Sequence, residues 1–484
     1  MAHHQELPQF APRPIIFITG ATGGVGYGIC LRLLYQLSQP FQADLSAPYH
    51  LQSEHQPDGE KIGNEEEEQE HQSIYATPNG LTLLIGCRSE SKCRMTQMEL
   101  EKGLRELIEA ERKTDQEELV FSYIHRISGQ VESMSFYEYR SRWLDRLTID
   151  WVPLDLLCAK SVLNAVSLVN KRYGYITHLL LNAGGGPFVG IDWLKLLKAS
   201  FRNLLDALTY PDYLIQATQA KETSDGIPET WQLNVLSHYI LARESLPLLA
   251  KGSKRTSCRA KMIWTGSLDG QPHFLDRKDL ECFHATIHAY QSTKYQVELV
   301  GQAFHDTLLK HGLDHAVVSL VAHPGVVAGN MFLPIIGVLM DTLMRWVFHF
   351  ARLVLGSRHH VISGYLAGLV WTKVCLSGDD PLAGAARRRR RAAADGAQKG
   401  TPTRGEHQHH EEEEEEGEDA ASGWDTRFVR LGAQCDRRGR PAVVLEAAPA
   451  SHHLLARQRR ADQHAVMDLC DRKADALIRL CAPP

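Results

Sequence analysis

Residues 14–36 read PIIFITGATGGVGYGICLRLLYQ. A β-branched apolar run, a glycine cluster and an apolar pattern of helical period follow one another without a gap, which predicts strand, tight turn and helix. No other stretch constrains the fold as strongly, because the unit recurs. Further apolar runs are LTLLIGC at 81–87, IDWVPLDL at 149–156, HLLLNAGGG at 178–186, AKMIWTGS at 260–267 and HAVVSLVAHPG at 315–325. Helical patterns separate most of them. Such alternation predicts an α/β architecture, a parallel sheet covered by helices on both faces.

The predicted fold class is a Rossmann-type doubly wound sheet, with apolar insertions and disordered charged segments. The 484 residues suffice for one large domain or two medium ones. A net charge of −5 gives no pull toward nucleic acid. The ten cysteines contain no C-x-x-C pair, and the start MAHHQELPQFAPRP lacks the pattern of a secretory signal. Reduced cysteines are therefore expected. No run of 18 charge-free apolar residues exists, so no clean membrane span is expected. The nearest approach is MFLPIIGVLMDTLMRWVFHFARLVLG at 331–356, which carries Asp341, Arg345, His349 and Arg352. It reads as a buried or amphipathic helix pair, or as a segment dipping into a membrane surface.

The main domain is expected over 1–380. Within it, residues 38–80 are polar and acidic, with EEEE at 65–68, and predict a disordered insertion away from the ligand crevice. Residues 186–230 and 326–356 each follow a strand, are rich in Leu, Phe and Trp, and are expected over the crevice on the substrate side. Residues 381–423, with RRRRR at 387–391 and EEEEEE at 411–416, read as a charged disordered linker. His407, His409 and His410 lie there without ligands spaced for closed coordination, and no metal is expected. Residues 424–484 read as an ordered C-terminal extension that packs on the main domain.

Chemistry begins at TGATGGVG, 19–26. Gly20, Gly24, Val25 and Gly26 form a turn where backbone approaches a pyrophosphate closely, at a helix N-terminus with free N–H groups. An acid at the end of the second strand would select NAD. Cys87 and Arg88 stand there instead, and an arginine can pair with a 2′-phosphate, so NADPH is expected over NADH. Asp155 is placed to meet the adenine amino group, and Asn182, Ala183 and Gly184 to line the cofactor crevice. Ser267, in TGSLDG, falls just beyond the fifth strand. Tyr290 and Lys294, in YQSTK, share one face of the next helix. A tyrosine is a poor acid at neutral pH, and a nearby ammonium is expected to lower its pKa. Asn234, in QLNVLSHY, is a candidate to hold a water and relay protons toward Lys294. Each of these residues alone is usually structural. All of them in this order, after a nucleotide turn, seldom arise by chance.

These motifs resemble the short-chain dehydrogenase/reductase superfamily over 15–330, although Leu181 stands where that family usually has an asparagine. The 23-residue step from Ser267 to Tyr290 is also longer than usual, which predicts an extra loop near the substrate. Residues 188–216, this long step, 351–368 and RLGAQCDRRGRPAVV at 430–444 look like the fungal 3-keto-steroid reductases. The resemblance implies an NADPH-dependent enzyme that reduces the 3-ketone of a 4-methyl or 4-demethylated sterol intermediate to the 3β-hydroxyl. It implies Ser267, Tyr290, Lys294 and Asn234 as catalytic residues, and Gly325 and Val327 as further cofactor contacts. It implies a peripheral place on the cytosolic face of the endoplasmic reticulum membrane or on lipid droplets, beside other enzymes of the sterol C-4 demethylation complex. A reductase of another lipid or xenobiotic carbonyl, and a non-catalytic scaffold of that complex, are the rival readings.

Overall fold

Alternation along the first strand decides the layers. In β1 (Ile15–Thr19), Ile16 and Ile18 point into one apolar core while Ile15 and Phe17 point into the other. Both sets are fully buried, so the strand needs cover on two faces and an unbroken apolar run. The computed structural model describes residues 13–45, 47, 49–53, 56–62, 73, 75, 77–111, 120–124, 131–284, 286–329, 333–378, 424–449 and 453–481.

Ten strands form the main sheet. After β1 come β2 (Tyr49–Ser53), β3 (Gln56–Ile62), β4 (Thr82–Cys87), β5 (Thr148–Pro153) and β6 (His178–Leu181). Then follow β7 (Ala260–Thr265), β8 (Val317–His323), β9 (Trp424–Cys435) and β10 (Pro441–Pro449). Their spatial order is β3-β2-β10-β9-β8-β7-β6-β1-β4-β5. The six strands read from the sequence are all parallel, and β9 adds to them in parallel. Strand order reverses between β1 and β6, the place where a doubly wound sheet opens a crevice at its carboxyl edge.

On one face, α1 (Gly24–Leu37) and α2 (Glu90–Glu111) supply Ile29, Leu33, Leu100 and Leu104 to the core. On the other lie α3 (Ala159–Tyr173), α5 (Ser237–Thr256), α6 (Ala289–Lys310) and α8 (His453–Cys481). The last of these buries Val466, Cys470 and Ala474 against that face. Two further helices, α4 (Trp193–Thr209) and α7 (Leu333–Leu353), stand over the carboxyl edge. Each is bent, α4 at Asn203 and α7 at Gly337, whose φ of 72° suits glycine. Asp192 caps α4 by accepting the Lys195 N–H at 2.9 Å.

The expected disorder of 38–80 gives way over its described part. Asp44 accepts two hydrogen bonds from Arg32 of α1, at 2.6 and 2.7 Å, and both side chains are buried. Ser73 donates to Leu376 O at 2.6 Å, and the Tyr75 ring meets His178 edge-on at 4.8 Å. Tyr49–Ser53 and Gln56–Ile62 then lengthen the sheet as β2 and β3. The physical reason is a partner lying outside the segment: a buried Arg32 makes a mid-segment acid structural, whatever the composition around it. The acidic run 65–68 and the stretch 381–423, with its histidines, lie outside the described residues. Residues 424–449 are strands of the main sheet, and the order of the sheet is incomplete without them.

Breaking one member of a buried pair leaves an uncompensated charge. Asp44→Ala is thus expected to lower stability by about 3–5 kcal/mol, read as a lowered urea midpoint with an unchanged m value. A midpoint equal to wild type would show 38–45 to be dispensable to the fold.

Candidate active site

The glycine turn is shaped by close approach. Gly20 has φ of 70°, and a Cβ there would lie 2.7 Å from Ala183 Cα. A Cβ on Gly26 would lie 2.2 Å from Gly20 O and 2.6 Å from Asn182 Nδ2. Both positions therefore need glycine for space. Asn182 donates from Nδ2 to Thr19 O and Gly20 O at 3.0 and 3.2 Å. It braces the turn rather than reaching across the crevice. The first N–H groups of α1, with Gly24 and Val25, remain for an anion at the positive end of the helix.

At the end of β4, Cys87 and Arg88 line the same cavity. Glu90 is held by Arg94 at 2.5 Å, so it leaves Arg88 free to meet an anion. Lys92 lines the cavity one turn on, a second cation that the motif reading missed. Asp155 stands across from it, its Oδ1 accepting the Leu157 N–H at 3.0 Å.

The catalytic candidates converge. Ser267 leaves the end of β7, Tyr290 opens α6, and Lys294 follows one turn later. Lys294 Nζ donates to Thr265 O at 2.9 Å and lies 6.0 Å from the Tyr290 ring centre. Asn234 sits in a π-helical turn, Gln232–Leu236, that locally displaces the helical ladder. Its amide donates to Gly185 O at 2.8 Å and Thr293 Oγ1 at 2.9 Å, and its oxygen accepts the Gly185 N–H at 3.0 Å. A Cβ on Gly184 would lie 3.1 Å from both Asn234 Oδ1 and Lys294 Nζ. Glycine at 184 is what lets the amide and the ammonium share this corner. Of the catalytic and cofactor candidates, only Asn234 does not line the cavity; it lies directly behind it.

Electrostatics depart from expectation at Tyr290. Burial, then the Asp269 carboxyl, push its pKa up to about 12, and a hydrogen bond with Ser267 works to lower it. The net shift thus runs opposite to the lowering expected from Lys294, whose ammonium the Thr265 carbonyl holds 6.0 Å from the Tyr290 ring centre. Burial brings Lys294 itself down to about 8, while Glu298 works to keep it charged. Asp269 is pushed up to about 7 by burial. Its side chain lines the cavity beside Ser267, and no motif pointed to it. Gln216, also missed, accepts the Tyr290 N–H at 2.9 Å and donates to Gln291 Oε1 at 2.6 Å, which pins the start of α6. Its partners lie 74 and 75 residues away, and no local pattern carries that signal.

The cavity measures about 1220 Å³. One end is the glycine turn and the end of β4; the middle holds Ser267, Tyr290 and Lys294; Gly325 and Val327 line it as well. The far end is walled by Phe188, Leu196, Leu204 and Leu208 from the 186–230 stretch and by Met340, Met344 and Phe348 of α7. The two apolar insertions thus meet over the crevice. The loop 271–288 behaves otherwise. None of its described residues lines the cavity, and it is clamped to α8 by Arg277–Asp462 at 2.7 Å and Glu281–Lys473 at 2.8 Å. Its length serves the C-terminal helix because its charged residues find partners there. Among the described residues no cluster could hold a metal ion.

No family model matches the chain. A 3-keto-steroid reductase of Saccharomyces cerevisiae is 34% identical over 245 residues, covering 50% of this chain and 66% of that protein. One from Eremothecium gossypii is 33% identical over 240 residues, covering 50% and 65%. One from Schizosaccharomyces pombe is 27% identical over 370 residues, covering 76% and 84%. The chain thus spans slightly less than two thirds of the length of the first two relatives. Among solved structures, a Pseudomonas aeruginosa RhlG/NADP complex aligns at 13% identity with a TM-score of 0.41, over 77% of this chain and 93% of that one. The chain is similar to fungal 3-keto-steroid reductases.

Gly26→Ala forces a methyl group against Gly20 O. The variant is expected to bind a reduced nicotinamide dinucleotide at least about 10-fold more weakly, a loss of about 1.4 kcal/mol, in a fluorescence titration. Unchanged affinity would mean that the turn does not hold the cofactor.

Proposed function

We propose that the protein is an NADPH-dependent 3-keto-steroid reductase of the short-chain dehydrogenase/reductase type, acting on a 4-methyl or 4-demethylated sterol ketone. One observation carries this reading. The Ser267–Tyr290–Lys294 group lies in a single cavity between a dinucleotide-type glycine turn and an apolar chamber built by two insertions. A four-ring substrate needs such a chamber with few polar anchors.

The residues fit the cofactor. The turn at Gly20–Gly26 lines the cavity, the start of α1 offers N–H donors for a pyrophosphate, and Arg88 with Lys92 offers charge for a 2′-phosphate. NADPH, when bound, supplies the hydride that adds to the ketone carbon. The chain does the rest. Ser267 donates a hydrogen bond to the ketone oxygen and holds it beside Tyr290. Tyr290 gives its phenolic proton to that oxygen as the carbonyl is reduced. Burial holds its pKa above the ordinary phenol value, so it keeps its proton until the reduced oxygen takes it. Lys294 is the cation that stabilises the phenolate left behind. Asn234 fixes the Gly184–Gly185 backbone against that cation.

We further place the protein at the endoplasmic reticulum membrane, its cavity mouth toward the lipid, beside other enzymes of sterol C-4 demethylation. What supports membrane contact is the outer surface of α4 and α7. Phe201 is 85%, Leu339 81% and Trp346 70% exposed. Bulky apolar groups gathered this way mark an interaction surface. No helix among the described residues is long and apolar enough to cross a membrane. An interfacial position would let an apolar substrate enter from the bilayer.

Tyr290→Phe is expected to lower kcat for a 3-keto sterol by about 10²–10⁴, with the NADPH Kd nearly unchanged. Near-wild-type turnover by this variant would remove Tyr290 as the acid, and turnover of aromatic ketones but no sterol would change the substrate class. In vesicle flotation, Leu339→Glu/Trp346→Glu is expected to lose most membrane binding while keeping its fold by circular dichroism. Flotation equal to wild type would exclude this surface.

A further inference from the structure

Arg430 lies on β9, beyond the long charged stretch, and its side chain is 17% exposed. Its Nη1 donates to Glu298 Oε1 at 2.5 Å and to the Ser267 carbonyl oxygen at 3.3 Å. Its Nε donates to Glu446 Oε2 of β10 at 2.7 Å. Glu446 Oε1 meets His323 Nε2 at 3.1 Å, and His323 Nδ1 accepts the Gly325 N–H at 3.3 Å. One guanidinium and two carboxylates therefore join the loop that carries Ser267, the helix that carries Tyr290 and Lys294, and the loop that carries Gly325. Arg430 and Glu446 come from the C-terminal hairpin, Glu298 from α6.

The charges reinforce the geometry. Burial works to lower the Arg430 pKa, but Glu298 and Glu446 outweigh it and hold it raised, so the cation is permanent. Burial works to raise Glu446, but His323 and Arg430 outweigh that and hold it well below the usual carboxylate range. Glu298, one helical turn beyond Lys294, is the carboxylate that helps keep the Lys294 ammonium charged. A buried ion cluster seldom adds net stability over apolar packing of the same volume. A cluster bonded to the Ser267 backbone and to the carboxylate that supports Lys294 has a positional use that stability does not explain.

We propose that Arg430 is a positioning residue of the active site, holding the Ser267 loop and Glu298 in one register so that the C-terminal hairpin completes the catalytic geometry. This rests on the reading of Tyr290 as acid and Lys294 as its cation. Of the charged and titratable groups around Glu298 and Lys294, Arg430 of β9 pairs with Glu298 and links it to Glu446 of β10, which meets His323 of β8. Arg459 from α8 lies 3.8 Å from Glu298, His238 of α5 faces Lys294, and Tyr290 and Tyr295 lie on α6 itself.

The test uses the full-length chain with Arg430→Lys, which keeps the charge but loses the planar fork, and the isosteric Glu298→Gln. Urea unfolding, NADPH affinity, kcat, KM and the pH profile of kcat/KM are measured for each. For wild type, activity should fall as pH rises through about 8, where Lys294 loses its proton. Glu298→Gln should move that fall to lower pH, because Lys294 loses the group that helps it stay charged. Arg430→Lys should lower kcat about 10-fold or more, with KM and NADPH affinity little changed. Wild-type kcat in folded Arg430→Lys, or a Glu298→Gln profile that overlays wild type, overturns the proposal. If Arg430→Lys does not fold, the Glu298→Gln profile decides. Tyr290→Phe separates the two readings: activity in that variant would remove the acid itself, whereas its inactivity beside a fully active Arg430→Lys would remove only the role of Arg430.

Discussion

The Thr19 hydroxyl is the point on which the site depends. It accepts the N–H groups of Asn182 and Ala183 at 3.0 and 2.9 Å and lies 3.0 Å from His238 Nε2. With two donors already received, its own proton goes to His238 Nε2. That assigns the Nδ1–H tautomer, which donates to Asn234 O at 3.2 Å. Burial holds His238 well below its ordinary pKa, down to about 4, so the ring stays neutral and the chain of bonds persists across the physiological range. One hydroxyl thus ties the end of β1 to the end of β6 and, through His238, to the π turn that presents Asn234. The glycine turn, the cofactor crevice and the catalytic corner are positioned together.

From this rigid corner the cavity grows toward looser ground. Its catalytic half is made of strand ends and of the first turn of α6. Its far half is made of α4 and α7, two bent helices with apolar side chains on the inner wall and the outer surface alike. Such helices gain little by burying one face against water. Under the proposed function, selectivity for a large ketone and contact with a membrane would both draw on these same two elements.

Local chemistry was legible where its cause is local. Gly20 and Gly26 announce a turn because only glycine tolerates neighbouring atoms at 2–3 Å, Gly24 because of its φ of 56°, and Tyr290 and Lys294 announce a shared helix face because four residues make about one turn. Arg88 follows the strand Thr82–Cys87 and lines the cavity, at the place the sequence reading gave it. Gln216, Asp269, His238 and Arg430 were not legible. Arg430 meets Ser267 across 163 residues and His238 meets Thr19 across 219, and no spacing rule reaches so far. The same limit explains the misreadings. Residues 38–62 look disordered until Arg32 is seen to hold Asp44, and the long 271–288 loop looks like a substrate flap until its charges are seen to meet α8.

The sequence by itself determined the class of fold, the six central strands, the glycine turn and the Tyr290–Lys294 pair on one helix face. Each of these depends on periodicity or on residue types a few positions apart. Only the tertiary structure decided how the pieces work on one another. It set Lys294 on the Thr265 carbonyl, let burial and not the ammonium govern Tyr290, and completed the sheet with strands from beyond residue 423. Desolvation and long-range charge pairing depend on what surrounds a group in three dimensions. That environment is assembled from distant segments, and it is written in no single stretch of the chain.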